Sequence, residues 1–218
     1  MKFKLDRINV RAFALESNDR VELRAEGDAP RRAVGYGVVY GREVEIFPGF
    51  RERIREGAFT ESLADGHEVK SFFNHDSNFV LSTTHSDPAL ALTENRSGVK
   101  FDTPIPPTSY GRDLEVNIER GNVRGASFAF VVPEGGDEWT EKKGVYYREI
   151  LRAELLEIGP VTNPAYHQTS AGLRSAEGAV DEYREILRAQ QSAVERAREM
   201  AQRELDLNCR RLDVLEKT

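Results

Sequence analysis

Cysteine is almost missing from this 218-residue chain: Cys209 is its only one. That excludes an intramolecular disulfide framework and a cysteine-based zinc cluster, and it suits a reducing compartment. No run approaches the ~18 consecutive apolar residues of a membrane span. Met1 to Phe13 (MKFKLDRINVRAF) has no apolar core of a secretory leader. A basic excess is missing too. The formal net charge is −6, which argues against nucleic-acid binding through a basic surface. Phosphate-loop and dinucleotide fingerprints are absent, because GYGVVYG lacks the GxGxxG spacing.

All nine prolines precede residue 175, and only one of the 17 glycines, Gly178, follows it. The composition therefore divides the chain into a domain over 1–172 and a tail over 173–218. The tail is dense in Ala, Glu, Arg, Leu and Gln, which are good helix formers. Val180, Tyr183, Leu187, Val194, Ala197 and Ala201 recur at three, four or seven, and the stripe then shifts to Leu205, Leu212 and Leu215. This predicts a long C-terminal helix, or two, with a break in phase, that packs on the domain or on a partner.

The first part predicts a mostly β domain with peripheral helices, α+β in class. Strands are expected at Ala33–Val44, Val69–Phe73, Ser127–Val132, Val145–Ile150 and Leu155–Val161, where β-branched and aromatic residues gather. ENRSG between Leu90–Leu92 and Gly98–Phe101 reads as a hairpin turn. Gly135-Gly136 is expected in a hairpin loop between the strands at 127–132 and 145–150. Helices are expected at Arg51–Ala64, with Ile54, Ala58, Phe59 and Leu63 on one face, and at Ser109–Arg120.

Chemistry needs reactive side chains in a setting that activates them. Ser127 lies in GASFAF, behind small residues and ahead of alternating aromatics, so a strand would hold its hydroxyl rigidly. Serine is a weak nucleophile without a neighbouring base. No GxSxG elbow surrounds it, which argues against an α/β-hydrolase. His75 closes the apolar run VKSFF between Asn74 and Asp76, oriented yet accessible. Glu157 stands inside the apolar run LLEIGPV, where a carboxylate needs a partner. A histidine, Arg148 or Arg152 would serve. A metal site built on His67, His75 and His85 is the competing chemistry; its spacings of eight and ten match no short helical ligand pair.

Four segments together resemble the prohead maturation proteases of HK97-like tailed bacteriophages. They are AVGYGVVYG, PGF with GAFTESL, the FFNHD histidine motif, and GASFAF followed by ELLEIGPVTNPAY. The resemblance spans about Ala33 to Ser175. It implies the fold of herpesvirus assemblins, a closed or nearly closed β-barrel surrounded by helices. By motif it implies Ser127 as nucleophile, His75 as general base and Glu157 as the orienting acid, with His167 an alternative third member. It implies oxyanion donors from backbone N–H groups helped by Arg148 or Arg152, and no metal or organic cofactor. Gly159-Pro160 stands where that family usually carries Ser-Leu, which is expected to alter the substrate loop.

The same resemblance implies a serine endopeptidase that cuts the scaffold or delta region of the capsid protein, and itself, inside the procapsid in the host cytoplasm. Partners would be the capsid protein and possible further copies of the chain, with no nucleic acid and no membrane. The tail would dock on scaffold, or be removed by self-cleavage near Ser170 to Ala179. The rival reading is a non-enzymatic assembly protein acting through its tail.

Overall fold

In the computed structural model the described residues are 8–13, 20–25, 27, 29–162, 177–181, 183–185, 188, 192, 195, 196 and 200. The chain divides into two compact units, Met1–Glu177 and Gly178–Thr218. The first opens with strands β1 (Ile8–Phe13), β2 (Glu22–Arg24), β3 (Arg32–Val39), β4 (Val44–Phe47) and β5 (Phe50–Ile54). Helix α1 (Thr60–Ala64) follows, then β6 (Lys70–Phe72), β7 (Val80–Thr83), β8 (Ala91–Asn95) and β9 (Gly98–Pro104). Helix α2 (Ser109–Glu119) precedes β10 (Gly125–Val131), β11 (Asp137–Lys142), β12 (Val145–Ile150) and β13 (Glu154–Val161).

The strands form three sheets, ordered β1-β10-β13-β6-β7, β11-β12-β5-β4 and β2-β3-β9-β8. Ladders are antiparallel except where β12 meets β5 and β13 meets β6. The mostly β, α+β expectation holds. The closed barrel does not: no closed barrel forms among the described residues. Where β7 approaches β9, both backbone edges of β9 are already taken by β3 and β8. The contact there is a hydroxyl pair, Ser82 Oγ to Thr103 Oγ1 at 2.6 Å, rather than a ladder. Sheets facing through side chains give layers, not closure.

The core explains the strand that matters most. On β10, Phe128 and Phe130 share one face and stack at 5.2 Å. Phe59 meets both edge-on at 6.0 Å. Each such ring is worth about 1.5–3 kcal/mol on burial, so β10 is held firmly from that side. On the same face Ile158 of β13 packs toward β3, where a Cβ on Gly37 would come within 2.3 Å of the Ile158 side chain. The opposite face of β10 carries Ser127.

Several expectations need correction. The helix predicted at Arg51–Ala64 is a strand for its first part, with only Thr60–Ala64 helical. Phe50, Glu52 and Ile54 are buried at a period of two, ladders to β4 and β12 claim the backbone, and Gly57 breaks the run at φ 82°. The strand predicted at Ala33–Val44 is two strands, parted at Gly41 with φ 70°. Gly135-Gly136 leads into the unpredicted β11, whose charged DEWTEK sequence hid it, and β11 rather than β10 pairs with β12. The hairpin at Leu90–Phe101 and the helix at Ser109–Arg120 are present, the latter capped by Thr108 Oγ1 accepting from Gly111 N at 3.1 Å.

In the second unit the described positions are helical, and they support a short helix only. The predicted long C-terminal helix is not supported. Its stripe residues Leu187, Val194, Leu205, Leu212 and Leu215 lie outside the described residues, and long helices depend on a packed apolar face rather than on propensity. No helix among the described residues is long and apolar enough to cross a membrane.

Candidate active site

Strand register builds the site. Ser127 of β10 stands opposite Gly159 of β13, and Ala129 stands opposite Glu157. Directly paired residues project to the same face, and side chains alternate along each strand. Ser127 and Glu157 therefore share a face as diagonal neighbours, opposite the Phe128–Phe130 core.

His75 reaches them from the loop after β6. Asn74 and His75 both have positive φ, 56° and 60°. With Asp76 N donating to Phe73 O at 3.2 Å, they form the centre of a turn of type I′ character. Such φ values strain a side-chain-bearing residue, and strain of this kind gathers at functional sites. Asn74 N donates to Pro160 O at 3.1 Å, which seats the turn on the end of β13.

The absent side chain of Gly159 makes room for this. A Cβ there would lie 2.3 Å from the Phe72 carbonyl oxygen and 3.2 Å from Ser71 Oγ. β6 pairs with β13 only at Lys70 and Glu157, then passes over the β13 face at Gly159. Gly159 and Pro160 thus serve the approach of the histidine loop.

The outcome is a relay of three side chains. His75 Nδ1 lies 2.8 Å from Glu157 Oε1, and His75 Nε2 is in hydrogen-bond contact with Ser127 Oγ. The carboxylate accepts the Nδ1 proton, which leaves Nε2 facing the hydroxyl. Glu157 is 14% exposed and His75 25%. Ser127 is buried, and its hydroxyl oxygen also lies 2.8 Å from the Arg11 carbonyl oxygen of β1, a second acceptor for its one proton.

Arg11 itself belongs to a buried charge cluster. Its guanidinium is bidentate on Glu52, at 2.6 and 3.0 Å, and Arg148 adds a contact to Glu52 at 3.2 Å. Burial pushes the Glu52 carboxyl up, but Arg11 and Arg148 outweigh it and hold it below the usual carboxylate range. Arg148 also pairs with Asp137 at 2.6 Å. Arg152 contacts Glu134 O and Glu61. Neither arginine is the partner of Glu157; His75 takes that place.

The other histidines stand apart from this relay. His67 bonds Asp65 Oδ1 at 2.5 Å and Leu155 O at 2.6 Å, and His85 contacts Gly66 O at 3.2 Å. His67, His75 and His85 are not brought together, and no metal-holding cluster is found among the described residues. His167 lies outside the described residues. Sequence reasoning missed the Arg11 carbonyl, a backbone group with no signature, and the packing role of Gly159.

Residues 19–183 match the sequence profile of the caudovirus prohead serine proteases. Among solved structures, the capsid assembly protease of bacteriophage T4, gp21, aligns with a TM-score of 0.49 and 11% identity, over 71% of this chain and 96% of that one. No curated protein matches the chain.

Proposed function

Because the chain belongs to the caudovirus prohead serine protease family, we propose that it is a Ser–His–Glu endopeptidase that matures a capsid precursor. The observation that carries this is His75, bonded through Nδ1 to Glu157 and through Nε2 to Ser127. Ser127 Oγ attacks the scissile carbonyl as His75 Nε2 takes its proton. The tetrahedral intermediate collapses when His75 returns that proton to the leaving amine. Water, deprotonated by the same imidazole, then releases the acyl group from Ser127. Glu157 fixes the ring and stabilises the imidazolium through the Nδ1 bond.

The substrate proposed is the scaffold or delta region of the capsid protein, cut inside the procapsid, with the chain cutting itself as well. The Arg/Glu/Leu-rich C-terminal unit is proposed to dock on scaffold. Most of the stretch proposed for self-cleavage, Ser170 to Ala179, lies outside the described residues, and 177–179 is helical. Co-expression with the capsid precursor of the same phage tests the reading by intact mass. Wild type shortens the precursor or itself, and Ser127→Ala leaves both whole. Identical masses with the two chains would refute it.

A further inference from the structure

The loop that carries His75 is tied to β13 by a side chain the relay does not contain. Thr162 N donates to Asn74 Oδ1 at 2.9 Å, and Thr162 Oγ1 does so at 3.2 Å. The backbone N–H of Asn74 reaches Pro160 O at 3.1 Å. These contacts come from the end of the strand whose middle supplies Glu157. The imidazole is thus referenced to β13 twice: at its Nδ1 through Glu157, and at its backbone through Asn74.

The residue type fits the task. Position 74 has φ 56°, where asparagine is among the least strained of side-chain-bearing residues. Glycine would accept the same φ but has no oxygen for Thr162. Alanine would have neither advantage. Aspartate keeps an acceptor oxygen and tolerates the conformation.

We infer that Asn74 is a positioning residue: its side-chain amide oxygen, held by Thr162, sets where His75 stands relative to Ser127. The inference rests on the Ser–His–Glu reading. Asn74 is exposed, and its contacts are confined to the loop and the end of β13, so substitution there leaves the core intact.

The test uses the full chain and an alkyl fluorophosphonate as a serine probe. In labelling, Ser127 Oγ forms a bond to phosphorus as the phosphorus–fluorine bond breaks. Fluoride leaves, and the hydroxyl proton passes to His75. Asn74→Gly is expected to lower the maximal labelling rate by ~10-fold and Asn74→Ala by ~10²-fold, the scale of an ångström-sized misplacement. The half-saturating probe concentration and the melting temperature of Asn74→Gly should stay near wild type. Asn74→Asp should recover most of the rate. Thr162→Ala should slow wild type but cost nothing further in the Asn74→Gly background, since one contact is removed twice. The downfield proton resonance of His75 Nδ1 should shift or broaden in Asn74→Gly and return in Asn74→Asp.

Wild-type labelling that Ser127→Ala abolishes, with Asn74→Gly as fast as wild type, would overturn the inference and leave the serine-protease reading standing. Additive effects of Thr162→Ala and Asn74→Gly would overturn it too. No labelling of Ser127 in wild type would overturn the Ser–His–Glu reading and the inference with it.

Discussion

Placing one methyl group at Gly159 should disable the site without touching any of the three relay residues. The Cβ of Gly159→Ala would sit 2.3 Å from the Phe72 carbonyl oxygen. That is more than an ångström inside the ~3.5 Å of ordinary nonbonded contact. The obstacle is backbone, so no rotamer change relieves it. Either β13 shifts away from β6, or Phe72 rises and carries the loop to His75 with it. Overpacking of this kind costs about 1–3 kcal/mol, which lowers the melting temperature of a chain this size by roughly 2–12 °C. A displacement near 1 Å at His75 lowers the rate of Ser127 modification by ~10²-fold. Gly41→Ala is the control. Position 41 has φ 70° and nothing within 4 Å of its added Cβ, so it brings backbone strain without a clash. It should cost about 1 kcal/mol and leave the labelling rate unchanged. Thermal melts and fluorophosphonate labelling read both variants. If Gly159→Ala labels at the wild-type rate, the histidine loop is not registered through this contact.

The remaining expectations concern charge. Glu52→Gln leaves Arg11 buried without its anion and Arg148 with Asp137 alone, and should cost about 3–5 kcal/mol in urea unfolding; a loss below ~1 kcal/mol would show that the cluster is not an energetic unit. The Glu52 carboxyl is lower in the folded state than its ordinary 4.5. Its stability contribution is therefore present above the unfolded value and lost as pH falls through the folded one, so the acid limb of a melt series should flatten in Glu52→Gln. For His67, burial alone would push the imidazole down, but the Leu155 carbonyl and Asp65 outweigh it and raise it above 6.5. This contribution has the opposite sense: it is present below 6.5 and lost as pH rises through the folded value. The difference in melting temperature between ~pH 5.5 and ~pH 8 should shrink in His67→Gln, and an unchanged difference would exclude His67 as its source.

How much of this was legible in sequence depends on how local the signal was. Ser127–Val132 and Leu155–Val161 read as strands because their apolar runs are dense, and the structure has strands at Gly125–Val131 and Glu154–Val161. Glu157 stood out as a carboxylate inside such a run, while Ser127 is ordinary in a strand and was marked by the family motif. Ser109–Arg120 read as a helix because its apolar spacing and the Gly121-Asn122 stop are local, and the structure has it at Ser109–Glu119. Phe50–Ile54 misled, because FRERI looks helical until two neighbouring strands claim its backbone, and those partners lie elsewhere in the chain. β1 was overlooked for a related reason. Its inward residues are Asn9 and Arg11, whose burial depends on Arg148 and Glu52, 139 and 41 positions away. Closure of a barrel is less local still, since it depends on which edges are left unpaired.

β13 arranges most of the chemistry. Glu157 takes the imidazole Nδ1, Gly159 clears the path of the loop, and Pro160 and Thr162 hold the turn. Ser127 is constrained from the other side, by the Arg11 carbonyl at 2.8 Å. A serine hydroxyl has one proton, and here it faces two acceptors. Attack on a carbonyl requires that proton on the His75 side; directed at Arg11, it leaves the oxygen without its base. The carbonyl is a fixed competitor, because the Arg11 guanidinium is bidentate on buried Glu52. Only the histidine's position is adjustable. Hydrogen bonds weaken steeply with poor distance and angle, so a His75 held close takes the proton and one displaced by an ångström cedes it. Small changes at Gly159 and Asn74 should therefore register as lost rate out of proportion to lost stability.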